Sequence, residues 1–291
     1  MSAIGKARMY WRFASGLRGF LKQPLTLEQS RQIIEQRLAN REANFLRIVA
    51  RTVYGNKRSP YLRLLDAVHC ELGDIENMVR TDGLEHALKR LSENGVYITA
   101  EEFKGNREVV RGGTRFQVTS EDFDNPFLLR HFEGSTGGSR GAGRRTCFDF
   151  DHLAYDQAVY QLCLLDAYGA ITAPVVLWRP TAPGGGPRKV LEYAKMGKVP
   201  QRWFSPIRTS DATPSLQSRM ATSYTVHMSR LWGADIPAPE YVALEDAVQI
   251  ARSIGDLTSA YGACWVNTGV SLAVRVCQAA RDNDVRIEGA E

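Results

Sequence analysis

The sequence predicts an α/β fold of layered mixed or parallel sheets with flanking helices, preceded by an N-terminal helical region. Strand-like and helix-like segments alternate after the first third of the chain, which is typical of such sheets. The apolar run at 171–178 has the composition of a strand buried on both faces. Residues 1–95 show helical spacing almost throughout. We therefore assign 1–95 to the helical region and 96–291 to the α/β portion.

Start and stop signals define the helices of the first region. Thr26 and Gln29 form a capping box ahead of a helix that reaches about Val53. A short helix is predicted at 61–68. The segment 82–85 has the pattern of another capping box, and its helix is expected to end at Asn94-Gly95.

Short segments of strand or helix character follow one another in the α/β portion. Asp151 is predicted to cap a helix that ends at Tyr168, ahead of Gly169. The remaining predicted strands lie at 96–99, 109–110, 114–118 and 261–266. The remaining predicted helices lie at 190–196, 216–232, 244–254 and 270–281.

Composition narrows the functional classes. The 291 residues are 44% hydrophobic and carry a net charge of +5, with no basic stretch interleaved with aromatics, so we expect no nucleic-acid partner. The five cysteines are scattered and odd in number, which favours reduced thiols and a cytoplasmic location. No apolar run approaches the roughly 18 residues of a membrane span. The basic N-terminus reads as a peripheral helix with a solvated face, and membrane-surface contact is the alternative.

A glycine-rich stretch at 132–145 is the strongest local signal. We expect it to join two strands and to turn its amides toward one anion, because glycine adopts positive φ at no cost and arginine clamps phosphate. The candidate phosphate-binding residues are Ser135, Thr136, Gly137, Gly138, Ser139, Arg140, Gly141, Arg144 and Arg145. A flexible Gly/Ser/Arg linker is the alternative, and Arg144 with Arg145 also fits a solvated charged pair.

The order of several segments carries a family resemblance that spans about residues 55–291. The segments are Ser59-Pro60-Tyr61, 79–85, 95–99, 102–105, Arg111-Gly112-Gly113, the glycine-rich stretch, 271–280 and 284–290. In this order they resemble the amino-terminal part of the adenylate-forming superfamily. The nearest branch is that of phenylacetate-CoA ligase and the acyl-protein synthetases of bacterial luciferase systems.

The resemblance implies a reaction and a site. Such enzymes use ATP and Mg²⁺ to activate a small carboxylic acid as an acyl-adenylate, then pass the acyl group to a thiol acceptor, either CoA or a protein thiol. Their Ser/Thr/Gly loop holds the β- and γ-phosphates, and residues 135–141 match that loop in type. This chain lacks the usual Gly-x-Pro-Lys ending, so the lysine's role would fall to Arg144 or Arg145.

The family pattern continues past Glu291, through adenine-binding and ribose-binding segments to a domain with a catalytic lysine. The resemblance therefore implies an N-terminal portion of a ligase, truncated within its AMP-binding large domain and inactive in adenylation by itself. A partner chain supplying the missing half is one expectation. The alternative function is a non-catalytic nucleotide- or anion-binding module that acts with a partner chain. The aromatic residues Trp178, Trp203, Phe204, Trp232 and Trp265 could line an acyl pocket, but core packing is the alternative for them.

Overall fold

A computed structural model describes residues 3–135, 145–208 and 215–290 and confirms the α/β class. The chain divides into two compact units. The first, which we call the sheet unit, comprises Met1–Ile34 and Leu129–Glu291, and the second, the helical unit, comprises Glu35–Leu128. This division reflects which residues contact one another. The predicted boundary at residue 95, between a helical region and an α/β portion, was based on sequence pattern and stays a prediction.

Helices make up most of the described residues. In chain order the α-helices are α1 (Ala3–Lys22), α2 (Leu27–Ala39), α3 (Arg41–Ile48), α4 (Pro60–Ala67), α5 (Leu72–Glu93), α6 (Ala100–Phe103), α7 (Val159–Ala167), α8 (Gly186–Lys195), α9 (Leu216–Leu231), α10 (Ala247–Tyr261) and α11 (Val270–Asp282). π-helical turns at Val49–Tyr54 and His152–Ala158 extend α3 and precede α7, respectively. Short 3-10 turns lie at Ser120–Phe123 and Leu244–Asp246.

The described strands form one parallel sheet and two antiparallel hairpins. They are β1 (Val109–Arg111), β2 (Thr114–Phe116), β3 (Phe132–Ser135), β4 (Arg145–Phe148), β5 (Val175–Trp178), β6 (Arg202–Ser205), β7 (Glu240–Tyr241) and β8 (Trp265–Asn267). β1 pairs with β2 and β3 with β4. The sheet has the order β7-β6-β5-β8 with every pairing parallel.

β5 is one of the two inner strands of the sheet, and its side chains are buried. All four of its residues are buried, as the continuous apolar run predicts. Trp178 and Trp203, on the neighbouring strands β5 and β6, are fully buried, and Phe204 is 2% exposed. Trp265 is also buried and Trp232 packs against the core, so the core interpretation of these five aromatics is confirmed.

Several predicted elements have the expected bounds and partners. Thr26 and Gln29 form the capping box, with Gln29 N donating to Thr26 Oγ1 over 3.1 Å and Thr26 N donating to Gln29 Oε1 over 3.0 Å. The helices α9 and α11 start at the predicted residues. The hairpin β1–β2 forms around Gly112-Gly113 as predicted.

The predicted strand at 96–99 is wrong. Thr99 is the N-cap of α6: its hydroxyl accepts from Glu102 N over 3.3 Å, and Glu102 Oε2 accepts from Thr99 N over 2.7 Å. The carbonyl of Tyr97 accepts from Arg111 Nη2 instead of from a strand partner. Local capping and an arginine therefore take the backbone groups that a sheet would need.

Two predicted helix caps are also wrong. The helix after β4 is capped by Asp149, whose Oδ1 accepts from His152 N over 2.7 Å, and not by Asp151. At 82–85 a break does occur, because Gly83 has φ 78° inside α5, but the side chain of Glu85 pairs with Arg41. In both places the sequence pattern predicts the position of the helix boundary correctly, but the predicted capping side chain is not the one that forms the contact.

Candidate functional site

In the parallel sheet, the strands that follow β5 along the chain are added on both sides of it. From β5 the chain passes through α8 to β6 on one side, whereas β8, reached through α10, lies on the other side of β5. Leu177 of β5 is in register with Asn267 of β8, so the carboxyl ends of these two strands are neighbours. In open α/β sheets this divergence opens a crevice where ligands bind. The carboxyl ends of β5 and β8 are therefore the candidate site.

Arg179 follows β5 directly and is held from two sides. Its Nε donates to Asn267 Oδ1 over 3.1 Å, and its Nη2 donates to the carbonyl of Thr268 over 2.6 Å. Trp203 Nε1 donates to the carbonyl of Arg179 over 2.9 Å. The hydroxyl of Thr268 donates to the carbonyl of Trp178 over 3.1 Å. The guanidinium group is thus oriented by neutral oxygens alone.

Arg188 supplies a second positive charge from the first turn of α8. Its guanidinium carbon lies 4.5 Å from the ring centroid of Phe148 on β4, a cation–π distance. Burial lowers the pKa of Arg188, and the nearby Glu192 carboxylate opposes that shift. The pKa of Arg179 is lowered as well, first by burial and next by the positive charge of Arg188. The two guanidinium groups are therefore partly desolvated and repel each other.

Neither of these arginines forms an ion pair within the part of the chain that the structure describes. Glu192, 1% exposed, forms its ion pair with Lys189 over 2.8 Å, and its Oε2 has no hydrogen-bond partner among the described residues. The Glu192 carboxylate also favours the charged forms of Arg179 and Arg188, so that this one carboxylate serves three cations. Because the partly buried positive charge exceeds the negative charge beside it, an anion at this edge would be stabilised.

The loop from β5 to α8 is tightly packed where it passes the arginines. A Cβ added at Gly186 would lie 2.5 Å from the Trp203 ring and 2.6 Å from the carbonyl of Pro180, so only glycine fits there. Gly184 N donates to the carbonyl of Thr181 over 2.7 Å and closes the turn. The hydroxyl of Thr181, 2% exposed, has no partner among the described residues. The loop between the two arginines is therefore compact, with one buried hydroxyl that has no partner among the described residues.

The hairpin β3–β4 reaches the same edge. A Cβ at Gly134 would lie 3.8 Å from the carbonyl of Pro183 in the β5–α8 loop. The hydroxyl of Thr146 donates to the carbonyl of Gly134 over 3.2 Å and holds the two strands together. Phe148 lies against Arg188, as described above. The base of the hairpin therefore contacts the loop that carries the arginine.

The predicted phosphate-binding residues stand at and beyond the end of this hairpin. Ser135 and Arg145 are its last backbone pair, which confirms that the glycine-rich stretch joins two strands. The strands overlap the stretch itself, since β3 begins at Phe132 and β4 begins at Arg145. The other candidates, Thr136, Gly137, Gly138, Ser139, Arg140, Gly141 and Arg144, lie outside the described residues, and their phosphate role stays a prediction.

The sequence pattern did not predict the arginine pair. The predicted strand ended at Trp178 and the predicted helix began at Val190, so Arg179 and Arg188 belonged to neither, although both flank a segment with three consecutive glycines. Gly269 occupies the N-cap position of α11, and Asn267 and Thr268, just ahead of it, hold Arg179. An arginine at the end of a buried strand, ahead of a glycine-rich turn and a basic helix start, was the available signal.

Comparisons with protein-family models, with curated proteins and with solved structures found no match to this chain. Among the described residues no group of three or more His, Cys, Asp or Glu side chains is placed to hold a metal ion. The helices that the structure describes include none long and apolar enough to cross a bilayer.

Proposed function

We propose that this chain is the nucleotide-binding, amino-terminal part of an ATP-dependent acid–thiol ligase of the adenylate-forming type. One observation carries the proposal: the hairpin that bears the glycine-rich stretch adjoins, at the carboxyl edge of a parallel sheet, two arginines that form no ion pair among the described residues. A polyphosphate at this edge would meet guanidinium groups from the sheet and backbone amides from the stretch at 136–144.

Electrostatics supports an anionic ligand. Arg179 and Arg188 are partly buried and mutually repulsive, so phosphate oxygens would relieve both the desolvation and the repulsion. The guanidinium fork suits phosphate because it donates two parallel hydrogen bonds. Arg179 is already oriented by Asn267 and Thr268, so little side-chain freedom would be lost on binding.

The resemblance implies the proposed reaction, and the positive charges of Arg179 and Arg188 suit its phosphate groups. ATP, with Mg²⁺ on its phosphates, supplies the activated phosphorus; the carboxylate of a small acid bonds to the α-phosphorus and pyrophosphate leaves with the electron pair of the broken bond. A thiol, of CoA or of a protein, then takes the acyl group and AMP departs. In this scheme Arg179 and Arg188 bind phosphate oxygens and stabilise the charge that grows on them.

The same arginine pair also serves the second candidate, a non-catalytic nucleotide- or anion-binding module that works with a partner chain. What favours it is that Arg179 and Arg188 can bind an anion without taking part in bond making or breaking. The experiment below separates the two.

Calorimetric titration with ATP tests the proposal. Arg188→Met and Gly137→Ala/Gly138→Ala should each weaken binding about tenfold or more. The first removes charge-assisted hydrogen bonds to phosphate, and the second disfavours the positive φ that would turn the amides toward it. The matched controls are Arg281→Met, exposed on α11, and Gly19→Ala, where an added Cβ meets nothing within 4 Å.

Unchanged ATP affinity in both test variants would remove this edge of the sheet as the nucleotide site. If both test variants bind ATP more weakly, the unmodified chain is incubated with ATP, small carboxylic acids and a candidate partner chain, and acyl-adenylate is sought by mass spectrometry. Acyl-adenylate supports the ligase. Tight ATP binding without any acyl-adenylate supports the non-catalytic module.

A further inference from the structure

We propose that the outer faces of α1 and α9 form a surface that docks on an anionic lipid bilayer. The proposal does not depend on the ligase function. The two helices have an unusual composition: α1 has 20 residues and α9 has 16, and neither contains an Asp or a Glu. Their cations are Lys6, Arg8, Arg12, Arg18, Lys22, Arg219 and Arg230. These seven exceed the net charge of +5 of the whole chain, so the remainder is net acidic.

Three of the five cations of α1 share one side of the helix with large apolar groups. The inner side carries Met9, Phe13, Leu17, Phe20 and Leu21, all buried in the sheet unit. Helical spacing places Ile4, Arg8, Trp11, Ser15, Arg18 and Lys22 on the opposite side. Trp11 is 70% exposed and Ile4 is 74% exposed. A tryptophan left in water on an otherwise basic stripe is unusual for a purely solvated face.

The neighbouring helix α9 has the same character. It contacts α1, and the rings of Phe13 and Tyr224 are 6.1 Å apart between centroids. Its outer stripe exposes Leu216, Met220 and Leu231 by 66%, 64% and 72%. Arg219 is exposed on the same helix, and Arg230 contacts Asp235 just beyond its end. Two adjacent helices thus both present cations mixed with exposed apolar side chains.

A lipid surface fits this mixture better than a soluble acidic protein does. Lysine and arginine stems lie along the apolar boundary while their charges reach anionic headgroups. Tryptophan inserts at the headgroup level, where an apolar body with a polar tip is favoured, and leucine is buried at the boundary with the acyl chains. An acidic protein would account for the cations but would leave the separate exposed apolar residues on two helices without a reason.

Vesicle flotation of the intact chain tests the proposal. The protein should float with vesicles of phosphatidylcholine and phosphatidylserine in equal parts, much less with phosphatidylcholine alone, and less at high salt because screening weakens the attraction. Trp11→Ala/Arg18→Glu should reduce the bound fraction about tenfold or more. The matched control is Val274→Ala/Arg275→Glu, which changes an exposed apolar and a basic residue on α11 and should float like the unmodified chain.

Tryptophan fluorescence gives a second measurement that does not rely on flotation. Trp178, Trp203 and Trp265 are buried and Trp232 is partly buried, so quenching by brominated phosphatidylcholine in anionic vesicles reports mainly on Trp11. Quenching should occur in the unmodified chain and disappear in Trp11→Phe. Absence of both flotation and quenching on anionic vesicles overturns the proposal. Retention on polyglutamate beads without either signal would assign this face to an acidic protein partner and would overturn it as well.

Discussion

One partly buried arginine of the helical unit forms an ion pair with a carboxylate, whereas two of the sheet unit form none among the described residues. In the helical unit Arg111 forms a two-bonded pair with Glu102, with Nη1–Oε1 and Nη2–Oε2 distances of 2.8 and 2.9 Å, and lies 4.0 Å from the Tyr97 ring centroid. Hydrogen bonding from Arg111 lowers the pKa of Glu102 to about 2. In the sheet unit Arg179 and Arg188 have no such carboxylate among the described residues.

The difference separates a structural ion pair from a binding site. A pair that satisfies both partners contributes to a fixed fold, and loss of one partner leaves a buried charge. Two partly buried cations that repel each other and form no ion pair destabilise the unliganded protein and are stabilised by an anion that binds later. We therefore expect the helical unit to lose stability, and the sheet unit to lose binding, when its arginine is removed.

The largest expected effect is on the helical unit. Arg111→Met should lower its free energy of unfolding by about 3–5 kcal/mol, because Glu102, 3% exposed, would keep a buried negative charge that no longer has a cation beside it. Hydrogen exchange of peptides from residues 35–128 measures this unit. Tryptophan fluorescence follows the sheet unit, since all five tryptophans belong to it. Arg107→Met, at an exposed position, is the control, and equal effects of the two changes would contradict the prediction.

A smaller effect is expected from acid. The pKa of Glu102 is about 2 in the folded unit, against roughly 4.3 for an unfolded glutamate. Because the folded pKa is the lower one, the stabilisation is complete above the unfolded value and is lost as pH falls from about 5 toward 2; we expect roughly 2–3 kcal/mol. Hydrogen exchange across this range should show that loss, and Glu102→Gln should flatten it. Glu101→Gln, more exposed, should leave the slope unchanged.

The smallest expected effect is on the unliganded sheet unit. Arg188→Met should change its free energy of unfolding by no more than about 1 kcal/mol, since the lost contact with Phe148 is offset by relief of burial and repulsion. Urea unfolding followed by tryptophan fluorescence measures it. Pyrophosphate at ten times its dissociation constant should add about 1.4 kcal/mol to the unmodified chain and less to the variant. A loss of several kcal/mol without ligand would make Arg188 a structural residue like Arg111.

Much of the fold could be predicted because its signals are local. The capping box at Thr26, the buried run that became β5 and the turn at Gly112-Gly113 each depend on residues close together in the chain. The strand at 96–99 could not be rejected in this way. Its failure depends on Arg111, which takes the carbonyl of Tyr97 from 14 positions away.

The candidate site shows the same division. The glycine-rich stretch was found from its composition, and it joins two strands as expected, with Ser135 and Arg145 as the last pair of the hairpin. The role of Arg179 could not be found from composition, because its partners Asn267 and Thr268 lie almost 90 residues further along the chain. Only the parallel pairing of β5 with β8 brings them together.

By itself the sequence determined the α/β class, most helix and strand positions and the location of the glycine-rich stretch, because periodicity, capping and glycine content act over a few neighbouring residues. The tertiary structure decided which strands are neighbours and which charges stay without a partner. It placed Arg188 beside the hairpin and left Arg179 facing neutral oxygens. Burial and electrostatic repulsion depend on all the elements packed around a group, so no short segment of sequence contains them.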